Sequence, residues 1–255
     1  MSYFVAADSY DRLMGRYSVQ LASQMADLAG VRSGQRVLDV GSGPGALTTE
    51  LVERVGASNV SAVDPSEQFV DAARERHPGV DVGLAAAEDL PFADGTFDAA
   101  LAQLVVHFMA DPAGGLCEMA RVTRPGGVLA ACVWDHGGGR GPLSGFWRAA
   151  RELDPAVEDE SDLPGVRQGD LGALLAGTGA REVEETSFEA GVDYAAFDDW
   201  WEPFTLGVGR AGAYVQRLDS EKRGELRESC WARLPKAPFS LTARAWAARG
   251  VVPGR

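Results

Sequence analysis

The chain is poor in the residues that staple or ligate. Three of its 255 residues are cysteine (Cys117, Cys132 and Cys230), an odd number with no Cys-x-x-Cys pair. That argues against a disulfide framework or a thiolate zinc site and fits a reducing cytosol. Histidine also occurs only three times, and no metal site is expected. Lysine occurs twice, at 222 and 236; 24 cations face 37 acids, for a net charge of −13. A field of that sign repels phosphates and anionic lipid, so neither nucleic acid nor a membrane surface is an expected partner. No run of about 18 apolar residues occurs, and the N-terminus lacks a cationic start followed by an apolar stretch. Neither a membrane span nor a signal peptide is expected, and the predicted location is cytoplasmic.

What is present is a regular alternation. Leu21, Met25, Leu28 and Ala29 recur at helical spacing until Gly30, which predicts a first helix. Val37, Leu38 and Val40 form a short apolar run that ends in glycines, the pattern of a buried parallel strand. A helix over ALTTELVERVG, a strand over NVSAVD and a helix opening at Ser66 follow. Strands are then read at VDVGLAAA, FDAALAQLVV and GVLAACVW, with a helix over PAGGLCEMARVTRPGG before the last. A short helix from Asp170 and two late strands, REVEETSFEAGV and FSLTARAWAARGVV, close the chain. Alternating strands and helices imply an α/β fold with a mostly parallel sheet covered on both faces. Two stretches break the rhythm: the Gly-rich segment 136–169, and 194–238, in which a helix is predicted from Ser220.

The segment Asp39-Val40-Gly41-Ser42-Gly43-Pro44-Gly45 lies where a strand turns into a helix. Glycines there let a ligand approach the backbone, and the helix N-terminus offers unpaired N–H groups. Gly41-x-Gly43-x-x-Ala46, with Asp64 ending the next strand, also fits a dinucleotide fingerprint. Asp39 separates the two readings. A diphosphate gains nothing from a carboxylate beside the loop, whereas a ligand with an ammonium or sulfonium centre does.

With VLDVGSGPG, AVDPS, AAEDLPFADGTFDAAL and RVTRPGGVL in this order, the chain resembles the class I S-adenosylmethionine-dependent methyltransferases, in their small-molecule branch. The resemblance implies a Rossmann-like seven-stranded sheet whose last strand is antiparallel, and S-adenosylmethionine as cofactor. It implies that Asp39, Gly41, Gly43 and Gly45 cradle the methionine part and that Asp64 accepts both ribose hydroxyls. Pro65 and Ser66 would flank the adenine, and Ala87 and Glu88 would read its edge. Gln103 would stand where a backbone carbonyl meets the methionine ammonium. Residues 1–30 would form a helical cap on a single domain spanning 1–255, with Tyr10 or Arg16 reaching the cofactor carboxylate.

On the acceptor side His107 and His136 follow the fourth and fifth strands, and their ordinary pKa suits proton transfer near neutrality. The alternative for both is a packed core histidine. Asp135 is a further candidate base, and His77, before Pro78-Gly79, reads as structural. Trp200, Trp201 and Phe204 would build a lid from 194–238 over a flat or apolar small-molecule acceptor; their alternative is packing onto the sheet. The expected activity is methyl transfer to O, N or C by in-line displacement. A nicotinamide-dependent oxidoreductase and a non-methylating S-adenosylmethionine-binding protein are the rival readings.

Overall fold

Val37, Leu38, Asp39 and Val40 leave no solvent-facing side, and the strand they form, β1 (Val37–Val40), is buried along its whole length. This is the centre of a seven-stranded sheet in a computed structural model that describes residues 7–254. Residues 1–6 of the expected cap, and Arg255, lie outside the described residues.

The remaining strands are β2 (Val60–Asp64), β3 (Asp81–Leu84), β4 (Phe97–Gln103), β5 (Thr123–Trp134), β6 (Arg181–Tyr194) and β7 (Phe239–Val251). Their order across the sheet is β3-β2-β1-β4-β5-β7-β6. β1 pairs in parallel with both β2 and β4, through Val37↔Val60 and Val37↔Ala99. Strand order therefore reverses at β1, which opens a crevice beyond its carboxyl end. β7 runs antiparallel to both β5 and β6, as the resemblance implies.

The helices are α1 (Ala7–Tyr10), α2 (Arg16–Leu28), α3 (Ala46–Val55), α4 (Glu67–Arg76), α5 (Pro112–Val122), α6 (Ser144–Leu153), α7 (Asp170–Gly177), α8 (Phe197–Trp201), α9 (Gly209–Arg217) and α10 (Ser220–Arg233). A π-helical stretch, Asp11–Gly15, joins α1 to α2. Leu21 and Met25 of α2 and Leu47 and Leu51 of α3 fill one face of the sheet. Leu116 and Met119 of α5 and Leu171 and Leu175 of α7 fill the other.

One sequence expectation is corrected. Thr123-Arg124-Pro125-Gly126-Gly127 does not extend the preceding helix, because α5 ends at Val122 and these residues open β5. The Gly-rich 136–169 stretch contains a helix, α6, which buries Phe146, Trp147, Ala149 and Ala150.

Candidate functional site

The turn after β1 holds the glycine loop by its backbone. Gly41 and Ser42 donate their N–H groups to the carbonyl of Val63 at 2.8 and 3.0 Å. Gly43 donates to Asp64 Oδ2 at 2.9 Å, and Ser66 donates to Asp64 Oδ1 at 2.9 Å. Asp64 thus ties the end of β2 to the loop while its carboxylate still lines the crevice. Gly41 has φ +69°, and a Cβ there would lie 2.6 Å from Val105 Cγ1, so the close approach of the loop to the segment after β4 requires glycine.

The crevice is a cleft of ≈ 580 Å³, open solvent included. Tyr10, Asp39, Gly41, Gly43, Asp64 and Gln103 line it together with Phe69, Leu104, Val105 and Phe108. Asp39 is buried; Thr48 Oγ1 donates to its Oδ2 at 2.6 Å, and its Oδ1 has no partner among the described residues. Gln103 donates through Nε2 to the carbonyl of Ser18 at 3.0 Å, which leaves its buried Oε1 equally without a donor. Two unpaired acceptors in one cleft are costly to bury unless a donor arrives. An ammonium group supplies that donor, and the Asp64 carboxylate suits a vicinal diol. The residues therefore fit the methionine and ribose parts of S-adenosylmethionine.

Burial, reinforced by the charge of Asp64, pushes the Asp39 carboxyl up to about 7 against the pull of the Thr48 hydrogen bond. Burial likewise raises Asp64, opposed by the N–H groups of Ser66 and Gly43. Tyr10, raised to about 12 by burial, packs edge-on against Phe69 with ring centroids 5.6 Å apart. It brings the N-terminal helix over the cleft.

Other expected cofactor residues lie apart from this lining. Gly45 caps α3 at φ 99°; a Cβ there would meet His77 Nε2 at 2.5 Å, so His77 packs against the loop. Ser66 holds the N-cap position of α4 without a side-chain cap bond, its Oγ buried and without a partner among the described residues. Pro65 is exposed beside it. Ala87 is buried in the apolar layer beneath α5. Glu88 accepts the backbone N–H of Asp111 at 3.0 Å, at the start of α5. Arg16 is turned elsewhere: it donates to the carbonyl of Asp193 at 2.5 Å and lies 4.6 Å over the Tyr194 ring. A guanidinium on the exposed flank of α2, beside β6, finds an aromatic face and a strand carbonyl before it finds the cleft.

His107 and His136 are brought together, ring centroids 5.8 Å apart at the carboxyl ends of β4 and β5. Both are buried. Burial lowers His136 to about 4 and, with the charges of His136 and Arg210, holds His107 well below its usual range. Asp135 accepts the N–H of Gly138 at 2.8 Å and so orders its own loop.

Trp200, Trp201 and Phe204 are core residues in the structure. Phe204 stacks on Phe146 at 4.6 Å, and Trp200 lies 4.8 Å from Phe204. None of the three lines the cleft with Asp39; Trp200 and Phe204 border a smaller cavity with Leu13, Met14 and Tyr17 beneath the N-terminal helix. The aromatic pattern carries no sign of which of these surroundings it serves.

Two contributors went unread in the sequence. Leu104, at φ +62°, is a non-glycine residue in the left-handed region at the edge of the cleft. Such strain costs about 1–3 kcal/mol and gathers at functional sites, but a leucine gives no signal of it. Arg76 donates to the carbonyl of Pro44 at 3.2 Å; an arginine in a helix's last turn reads simply as solvated.

Residues 38–131 match the methyltransferase domain family. An uncharacterized methyltransferase of Mycobacterium sp. (strain KMS) is 32% identical over 209 residues, covering 74% of this chain and 79% of that protein. An uncharacterized methyltransferase of Mycobacterium tuberculosis is 38% identical over 169 residues, covering 64% of this chain. Those residues span 65% of that relative's length, just under two thirds. In fold, the YcgJ protein of Bacillus subtilis superposes with a TM-score of 0.60 at 20% identity, over 92% of this chain and 98% of its own. With the sheet order, the glycine loop and these relatives in agreement, the chain belongs to the class I S-adenosylmethionine-dependent methyltransferase family.

Proposed function

We propose that the protein transfers a methyl group from S-adenosylmethionine to a small-molecule acceptor by in-line displacement. The observation that carries this reading is the pair of buried, unpaired acceptors, Asp39 Oδ1 and Gln103 Oε1, in a cleft that also presents Asp64. Asp39 and Gln103 would hold the ammonium, the loop of Gly41 to Gly45 the methionine backbone, and Asp64 the ribose. The bound donor supplies an activated methyl group with a good leaving group, so the protein's tasks are placement and exclusion of water. The helix that carries Tyr10 closes the cleft and serves the second task. A nicotinamide cofactor would instead set a diphosphate against Asp39, with no compensating cation in the lining.

Among the described residues no helix is long and apolar enough to cross a membrane, and no group of three or more His, Cys, Asp or Glu side chains is placed to hold a metal ion. The acceptor is read as small because the cleft is roofed by a helix.

Calorimetry with S-adenosylhomocysteine and with NADH tests the reading. Binding of the first only is expected, and Asp64→Ala weakens it at least tenfold. Binding of NADH alone would overturn it. Incubation with methyl-labelled donor and cell extract then separates a transferase from a protein that binds the cofactor without methylating anything.

A further inference from the structure

Beyond the cleft, at the carboxyl ends of β4 and β5, the structure gathers a second set of polar groups. The His107 ring lies tilted against that of Phe108, centroids 3.9 Å apart, and Phe108 lines the cofactor cleft, with 59% of its surface exposed. His107 Nδ1 is buried and has no hydrogen-bond partner among the described residues. His136 lies beside it. From the 154–169 loop come Asp159, paired with Arg151 of α6, and Glu160, which is buried and accepts the indole N–H of Trp147. From α9 comes Arg210, which donates to the carbonyl of Asp159 at 3.0 Å and acts by its charge on both His107 and Glu160.

We infer that His107, His136 and Arg210 form the acceptor's polar subsite, and that it takes an acceptor bearing an ionisable oxygen acid: a phenol, enol or carboxylic acid. The inference rests on the methyl-transfer reading and names its substrate class. Both imidazoles stay neutral at physiological pH, because burial disfavours their cations and Arg210 adds to that at His107. They are therefore poor proton stores, and serve as hydrogen-bonding groups of fixed orientation. A guanidinium whose charge reaches the neutral His107, and which is held to the Asp159 carbonyl, favours an oxyanion. Of the opposing carboxyls, Asp159 is paired with Arg151 although its charge still reaches His136, and Glu160 accepts the Trp147 N–H while burial raises it to about 7.

In this arrangement the acceptor O–H ionises on binding and its proton leaves to solvent. The oxygen lone pair then forms the new O–C bond to the methyl carbon as the S–C bond breaks, and that bond's electron pair stays on sulfur. An anion and a sulfonium thereby give a neutral ether or ester and a neutral thioether, so charge is consumed in the low-dielectric site.

4-Nitrophenol tests this, since its phenol and phenolate differ in visible absorbance. It is titrated into protein saturated with S-adenosylhomocysteine, across a range of pH, with 4-nitroaniline as the amine control. The expected result is a bound phenolate whose apparent pKa lies below that in solution by about one unit or more, with the amine bound at least tenfold more weakly. Arg210→Gln removes the shift while S-adenosylhomocysteine binding persists, and Arg210→Lys restores part of it. Nitrophenol that does not bind, binds only as the neutral phenol, or binds no better than the amine overturns the inference. Loss of S-adenosylhomocysteine binding by the unaltered protein would instead overturn the methyl-transfer reading. The wild-type spectrum decides the matter even if a variant fails to fold.

Discussion

Arg76 Nη2 lies 2.6 Å from Asp11 Oδ2, and the same guanidinium reaches the carbonyl of Pro44. One side chain at the end of α4 therefore fastens the π-helical stretch that covers the cleft to the glycine loop that floors it. Both partners of the ion pair are more than a third exposed, so the pair contributes little to global stability, about 0–1 kcal/mol. Its effect falls on the cleft. Arg76→Ala is expected to lower the unfolding free energy by no more than about 1 kcal/mol and to speed S-adenosylhomocysteine release several-fold in a stopped-flow displacement experiment. Asp11→Ala should reproduce the faster release, and the double variant should add nothing. Unchanged release in both single variants would show that the strap closes the cleft without this latch.

Asp39 makes stability and cofactor binding depend on pH in opposite senses. Its carboxyl is raised in the fold, to about 7 from 3.8. Between those values the folded chain holds a proton that the unfolded chain has released, so the ligand-free protein loses stability as pH rises through this window. The cost is absent below the lower value and complete above the upper one. Asp39→Asn removes it. Its gain over the wild type in urea melts should be near zero at pH 4 and reach on the order of 2–4 kcal/mol at pH 8. Binding of an ammonium needs the carboxylate, so wild-type affinity for S-adenosylhomocysteine should fall about tenfold per unit below pH 7, with proton release visible as a buffer-dependent heat. The variant should bind weakly with a flat profile. A wild-type affinity that does not change between pH 5 and 8 would remove Asp39 from the ammonium site.

Much of this was legible because the signals are local. Val37 to Val40 followed by glycines can only be a buried strand running into a tight turn, and Asp64 ends the next such strand, so both converge on the crevice once the sheet is parallel. The meeting of His107 and His136 follows from the same logic, as each follows one of two neighbouring strands. Residues with several physically equal partners were not legible. Arg16 could pair with a cofactor carboxylate or with the ring of Tyr194, and only the tertiary packing chooses. Trp200 and Phe204 carry the same amphipathic spacing whether they face an acceptor or Phe146. α6 was hidden because its apolar residues, Phe146, Trp147, Ala149 and Ala150, sit between a glycine tract and an acidic one. Leu104 shows its left-handed backbone only in three dimensions.

The glycines of the loop are alike in sequence but not in what replacing them would do. Gly41, at φ +69°, has Val105 pressed against the place a Cβ would occupy, whereas Gly43, at φ +53°, has nothing within 4 Å of that place. Both would suffer the left-handed penalty of roughly 1–2 kcal/mol on becoming alanine. Only Gly41→Ala adds a steric clash, which forces β4's extension away from the loop and costs about 1–3 kcal/mol more. Gly43→Ala should therefore melt within about 2 kcal/mol of the wild type, and Gly41→Ala clearly below it. If the Val105 contact is the cause, Gly41→Ala with Val105→Ala should be less destabilised than the sum of the two single changes, a coupling that a double-mutant cycle reads directly. Strict additivity would place the cost of Gly41→Ala in backbone strain alone and leave the two glycines equivalent.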